Sequence, residues 1–478
     1  MQRLGEWDRS CVRTIEEERA VRHTPGMRAS LWRRRRLAVP ATTAGPAEVG
    51  PELPSDATVN LVLDLALRIG EVQLASGAAA ADVASTLVQV TSAYGLPRCE
   101  VDVTFISISV CCHRGTAASP VTSMRVVRSR GLDYTRLAAL EALLRRVIAG
   151  RATAEDASAE LDAISTAKHP YPRWLATTAW AAMAASVALL LGGGPMMALV
   201  AAVVTAVVDR VGRILNRYNL PFFFQQVAGG ALGAAGALVA TATGLVPPNQ
   251  LSLVVAAGIV VLLSGLSVVS SVQDAINGYN VTASGRTMET LLMSVGLITG
   301  VAFALRIGVR FGIGSTLAPV SPLSFGTVPI QIVTGAAAAV FFALASYGQP
   351  RALLVAGVSS AMGVGAYSTL QAAGADVLTG SALAAVLIGF CGQLLSRRLR
   401  VPPLVVGISG LTPLLPGLTT YRGLYQLTVQ GDVAGLSTLV LAMGIGLALA
   451  AGMVLGEFLA HPVRTRLGRL ERRLRTPN

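Results

Sequence analysis

The chain has 478 residues, of which 53% are hydrophobic and 14% charged, with a formal net charge of +13 and a mean hydropathy of +0.59. A soluble domain is nearer a quarter charged, so composition excludes a wholly soluble protein and indicates an integral membrane protein with a soluble part attached. The positive charge is almost all arginine beside apolar runs, where it orients spans and meets anionic lipid, and no nucleic-acid-binding module motif accompanies it.

Residues 1–54 are rich in arginine, proline and alanine, with a run Arg33–Arg36, and predict a disordered basic tail. No apolar h-region opens the chain, so no signal peptide is expected. Cys11, Cys99, Cys111, Cys112 and Cys391 have no metal-ligand spacing and predict free thiols in a reducing compartment, with no metal and no cofactor.

Residues 55–165 predict a small α+β cytoplasmic domain. Val59, Leu63, Leu67 and Leu74 share a helical face that stops at Gly77, and Ala81–Tyr94 repeats the pattern. Val101–Val110 reads as one β-rich run and Val121–Val127 as another, joined by a loop over 113–120. Asp133–Ile148 and Ala154–Ile164 are helical, the second opened by Thr153 and Asp156 in a capping pattern. Cys111, Cys112, His113, Ser107, Ser109 and Asp102 could supply a nucleophile, so a membrane-anchored hydrolase is carried as an alternative.

From Trp174 the pattern is a series of apolar runs. Ten spans are expected, at 174–191, 195–208, 222–244, 251–272, 287–305, 328–347, 352–370, 376–395, 402–417 and 433–458. The ninth holds Pro402, Pro403, Pro413 and Pro416 and should be broken. Arg210, Arg213, Arg217, Arg286, Arg351, Arg397, Arg398, Arg400 and the basic tail 461–478 fall on one side, against Arg306, Arg310 and Arg422 on the other. That asymmetry puts both termini in the cytoplasm.

Ser409-Gly410-Leu411-Thr412 repeats Ser264-Gly265-Leu266-Ser267, and Arg422-Gly423 falls at the offset of Asn277-Gly278. Residues 166–310 and 311–460 therefore predict two five-span repeats. An odd number makes the second enter from the opposite side, giving an inverted repeat with its site near the midplane. Charges near membrane depth usually serve a pathway. Asp274 or Glu289 is the expected proton carrier, with Arg286 three residues before Glu289 as its ion-pair partner. An amino-acid carboxylate could meet helix amides freed at Gly278, Gly417 or Gly423, or Arg422, and its ammonium could face Asp274. Asn277, Gln225, Pro413 and Pro416 complete the candidate set. No Walker A motif is present, which disfavours ATP drive.

The polar break Gln273-Asp274, Gly278, Ser284-Gly285, Arg286, Glu289 resembles that of the threonine/serine exporter family. So do Pro413–Gly417 with Tyr421-Arg422-Gly423, and the cytoplasmic stretches EALLRRVIAG and AEDASAELDAI. The resemblance covers about residues 55–460. It implies a mainly α-helical polytopic exporter of small polar amino acids. The expected setting is the inner (plasma) membrane, the expected partners are the substrate and, from Asp274 and Glu289, protons, and a homo-oligomer is left open. Its split relatives imply dicarboxylate export as the alternative. Thr419 stands where an acid equivalent to Asp274 would be, which tells against a symmetric two-carboxylate mechanism.

Overall fold

Ser55 caps the first described helix: its hydroxyl accepts from the Thr58 N–H at 3.2 Å, and α1 (Asp56–Ala75) follows. This and every later element belong to a computed structural model that describes residues 55–113, 119–128, 131–259, 262, 265–312, 324–399 and 401–475. The basic segment 1–54 with Arg33–Arg36 and Cys11, most of the loop after His113, Ser264 and Arg400 lie outside those residues, as do the side chains after Ala460.

After α1 come α2 (Ala80–Ala93), β1 (Cys99–Thr104), β2 (Ser107–Cys112), β3 (Val121–Val126), α3 (Tyr134–Ile148) and α4 (Ala154–Thr166). The strands form an antiparallel sheet in the order β1-β2-β3. The run expected as one strand over 101–110 is a hairpin. Its alternation slips at Phe105-Ile106, and the two-residue turn there returns the chain so that Val103 pairs with Ile108 and Val101 with Val110 on one face. Leu63, Leu67, Leu87, Ile108, Val110, Leu140 and Leu161 fill a single core between helices and sheet. Each fully buried aliphatic side chain is worth roughly 1.5–3 kcal/mol. The Thr153 hydroxyl accepts from the Asp156 N–H at 3.1 Å and opens α4 as its capping pattern requires.

The membrane part begins with α5 (Arg173–Leu190), α6 (Pro195–Arg217), α7 (Phe222–Ala242), the short α8 (Leu251–Gly258), α9 (Gly265–Ile276) and α10 (Asn280–Arg310). It continues with α11 (Val328–Ala345), α12 (Pro350–Ala372), α13 (Val377–Leu399), the short α14 (Pro403–Leu411), α15 (Gly417–Tyr425) and α16 (Ala434–Arg475). The protein is thus a helical polytopic membrane protein. Among the described residues seven helices are long and apolar enough to cross a bilayer, or eight when the bent pair Pro403–Leu414 and Gly417–Gly423 counts as one span. Two of the ten expected spans are not among these. The 251–272 run is split into α8 and α9, each shorter than a span. α6 runs past the expected 208 and carries Asp209, Arg210, Arg213 and Arg217 in its last turns.

The same neighbours recur in both membrane halves. α7 packs along α10 as α13 packs along α16. The pairs α5–α6, α6–α7 and α9–α10 correspond to α11–α12, α12–α13 and α15–α16. Turns recur too. Gly193 N–H donates to Ala188 O at 2.9 Å before Pro195 opens α6, and Gly348 N–H donates to Ala343 O at 2.8 Å before Pro350 opens α12. A Cβ on Gly300 would overlap the Val227 carbonyl across α7–α10, and one on Gly456 the Val386 carbonyl across α13–α16. Small residues let these backbones close without lipid between them.

Candidate functional site

α9 ends in a Schellman turn: Tyr279 N–H donates to Asp274 O at 2.9 Å and Gly278 N–H to Ala275 O at 3.1 Å, with Gly278 at φ +87°. The turn carries the chain directly into α10. It also leaves the Asp274 side chain, on the last turn of α9, pointing inward with none of its surface exposed. Asp274 Oδ2 lies 2.9 Å from a guanidinium nitrogen of Arg286 on α10. Its Oδ1 accepts from the Ala80 N–H at 2.7 Å, and Arg286 donates to Ala78 O at 3.0 Å. The expected ion-pair partner of Arg286 was Glu289, one turn on. A 2.9 Å pair reaches Asp274 on the preceding helix, because the α9–α10 turn brings the two helices side by side. Glu289 sits half-buried and Asn277 exposed.

Ala78 and Ala80 belong to the soluble domain, which therefore covers this break. A second contact comes from the hairpin tip. The Thr282 hydroxyl donates to Val103 O at 2.7 Å and accepts from the Phe105 N–H at 3.0 Å. Phe105 has φ 51°, a left-handed conformation that costs a non-glycine residue about 1–2 kcal/mol. The Phe105 ring lies against Gly285, where a Cβ would come within 2.8 Å of it. Asp82, on α2, is exposed, yet neighbouring atoms crowd its carboxyl. Burial raises its carboxyl above the usual range and the Asp274 charge adds to the rise.

The other break follows α14. Pro413 lies in the 3-10 turn Thr412–Leu414, Pro416 caps α15 and Gly417 starts it. Prolines lack the N–H that would continue a helix, and the axis bends by 45° here. The Gly417 N–H donates to Leu415 O at 2.7 Å. Like Gly278, then, it already has an acceptor, and neither is an open amide donor in this conformation. Arg422 is half-buried. Gly423 lets α15 approach α16, since a Cβ there would sit 2.9 Å from Gly435 O. Tyr421 is 1% exposed and joins a core with Leu251 and Val254 of α8, so the two broken segments meet.

Gln225 donates to Leu220 O at 2.8 Å and braces its own helix start. Its neighbour Gln226 is the buried one, and its Oε1 has no partner among the described residues. Sequence reasoning also missed Tyr134. This residue leaves the soluble domain to enter the membrane core with Phe342, Met183, Val405 and Ile408, and its hydroxyl is 3.4 Å from Ser409 Oγ. The Tyr134 N–H donates to Ser346 O at 2.9 Å and the Thr135 hydroxyl to Tyr347 O at 2.5 Å. Asp133 caps α3 and holds His169 at 2.8 Å, whose ring stacks on Tyr347. The signal available was Ser409 itself, which the repeat had marked. A groove of about 510 Å3 between α9 and α10 is lined by Ser271, Asn280, Ser284 and Thr287 together with Val272, Met288 and Leu291.

The residues proposed for hydrolysis lie along β1 and β2 and just after them. Cys111 Sγ is 3.9 Å from His113 Nε2, which is 3.9 Å from Glu100. Asp102 accepts from the Thr104 hydroxyl at 2.7 Å, and Cys112 faces the core beside Cys99, whose thiol burial pushes up to about 12. Among the described residues no group of three or more His, Cys, Asp or Glu side chains could hold a metal ion.

Residues 64–308 match the family described as "Putative threonine/serine exporter", and residues 331–459 match "Threonine/Serine exporter, ThrE". A "Probable threonine/serine exporter" of Mycobacterium tuberculosis is 40% identical over 416 residues, covering 86% of this chain and 78% of that protein. The "Threonine/serine exporter" of Corynebacterium glutamicum is 34% identical over 431 residues, covering 88% and 86%. No solved structure matches the chain significantly.

Proposed function

The chain belongs to the threonine/serine exporter family, and from that premise we propose that it exports small polar amino acids, threonine and serine, from the cytoplasm. It is a transporter rather than an enzyme. It sits in the inner (plasma) membrane with both termini inside, as the arginine placement favours. Its halves, 166–310 and 311–460, are two repeats inverted relative to each other.

One observation carries this reading best. Each half holds a short helix between the same pair of packed neighbours: α8 lies against α6 and α7, and α14 against α12 and α13. Non-helical backbone at membrane depth is tolerated where it lines a pathway or is buried in protein. The substrate binds between the two breaks, with Arg422 facing its carboxylate. Protons couple through Asp274 and Glu289 at the inner break, and the proline-rich outer break gates.

The test is efflux from cells loaded with a threonine-containing dipeptide. Deleting the protein should slow threonine and serine efflux, and dissipating the proton gradient should slow it in cells that retain the protein. Unchanged amino-acid efflux with altered succinate efflux would replace this reading with dicarboxylate export.

A further inference from the structure

We propose that the soluble domain is a hinged lid on the cytoplasmic mouth, one that stays attached beside α5 and α11 and must release the α9–α10 break in each transport cycle. The inference rests on the exporter reading for the existence of a cycle, and on geometry for the lid.

The domain has one continuous core, so it moves as a body. Among the described residues, two of its contacts with the membrane part bear on motion. At the first, Tyr134 is buried among α5, α11, α12 and α14, with only 1% of its surface exposed. The chain also runs from this domain straight into α5, which packs on α11. At the second, Ala78, Ala80, Val103 and Phe105 grip Asp274, Thr282, Gly285 and Arg286. If α9 and α10 move relative to α11, α12 and α14, one rigid body cannot keep both grips.

The second grip is the one built to let go. The first is a buried aromatic ring reinforced by a covalent connection. The second joins hydrogen bonds, each exchangeable for water, to the Phe105 ring on Gly285 and to Tyr279, half-buried against the domain core. A buried ion pair gains little net free energy over the two hydrated ions, because desolvation offsets the Coulomb attraction. The Asp274–Arg286 pair under Ala78 and Ala80 can therefore open at small cost. In the closed form Asp274 is sealed from water. Release of the Ala78–Ala80 loop and the hairpin tip uncovers it, and with it the inner break through which an exported amino acid must enter.

Gly285 and Phe105 provide a lock. A Cβ on Gly285 would lie 3.2 Å from the Phe105 Cβ, close to the roughly 3.5–4.5 Å of a disulfide. The experiment uses the full chain in proteoliposomes, with Cys11, Cys99, Cys111, Cys112 and Cys391 replaced and Phe105→Cys and Gly285→Cys introduced. Labelled threonine export is measured after oxidation and again after reduction. A lid predicts a fall of about tenfold or more on oxidation, restored by reductant. Oxidised, fully cross-linked protein that transports as fast as the reduced form would overturn the proposal. A second variant covers the case where the pair itself impairs folding. Ala80→Cys places a thiol at a position with 0% exposure. Threonine should speed its labelling by a membrane-impermeant maleimide roughly fivefold by populating the open form, and a rate indifferent to threonine and serine would equally contradict the lid. A cysteine-free parent that moves no amino acid would refute the exporter reading, whereas an active parent unaffected by the lock refutes the lid alone.

Discussion

Arg286 and Asp274 are 7% and 0% exposed at the side chain, so each depends on the other for its charge to be tolerated. Removing one partner of such a pair strands the other and costs about 3–5 kcal/mol, whereas replacing both is far milder. Arg286→Gln should lower the thermal midpoint of the purified protein sharply, and Asp274→Asn with Arg286→Gln should recover most of the loss. Equal loss in the single and double variants would contradict the pairing. Asp82 supplies a pH test. Its carboxyl is raised by burial first and by Asp274 second, so folding favours its protonated form. The resulting penalty is absent below the carboxyl's ordinary range and grows as pH rises through the raised folded value. Asp82→Asn should therefore stabilise the protein at neutral pH, and the gain should vanish as thermal unfolding is repeated at progressively lower pH. At this scale the sequence singled out Asp274 and Arg286 but not the backbone groups they meet. Local spacing pointed Arg286 to Glu289, while the backbone partners Ala78 and Ala80 lie some two hundred positions away in a loop with no chemical signature.

At the scale of elements, the recurring α7–α10 and α13–α16 contacts make paired predictions. Gly300→Ala and Gly456→Ala each force a Cβ into a carbonyl, and overpacking of this kind costs typically 1–3 kcal/mol. Both should lower the thermal midpoint by comparable amounts, and tolerance at one but not the other would break the correspondence between halves. Gly278 is required by its φ of +87° in the turn after α9. Gly278→Ala should cost about 1–2 kcal/mol of stability and leave the concentration dependence of threonine transport unchanged. A shifted KM would instead return Gly278 to the substrate site. The break within 402–417 was legible, because prolines punctuate an otherwise apolar run. The β1–β2 hairpin was not, because Phe105 occupies a left-handed turn position where glycine or asparagine would have announced a turn.

For the whole molecule, composition was enough to point to a helical membrane protein, since burial in lipid needs long apolar runs. Span number was less legible. Apolarity alone cannot tell a helix that crosses from two short helices that meet inside, as over 251–276, nor from one that carries its charges into a loop, as α6 does. The docking of the soluble domain onto both halves was invisible, because Tyr134 and Phe105 read as ordinary core aromatics until the fold places them against Ser409 and Gly285. The central claim, export of small polar amino acids by this chain alone, is tested most directly by counterflow. Proteoliposomes of the purified protein would be loaded with unlabelled threonine and diluted into labelled threonine. The account predicts transient accumulation of label above protein-free liposomes, the same for serine loading, and none driven by succinate. Accumulation no greater than in protein-free liposomes for both amino acids would contradict it.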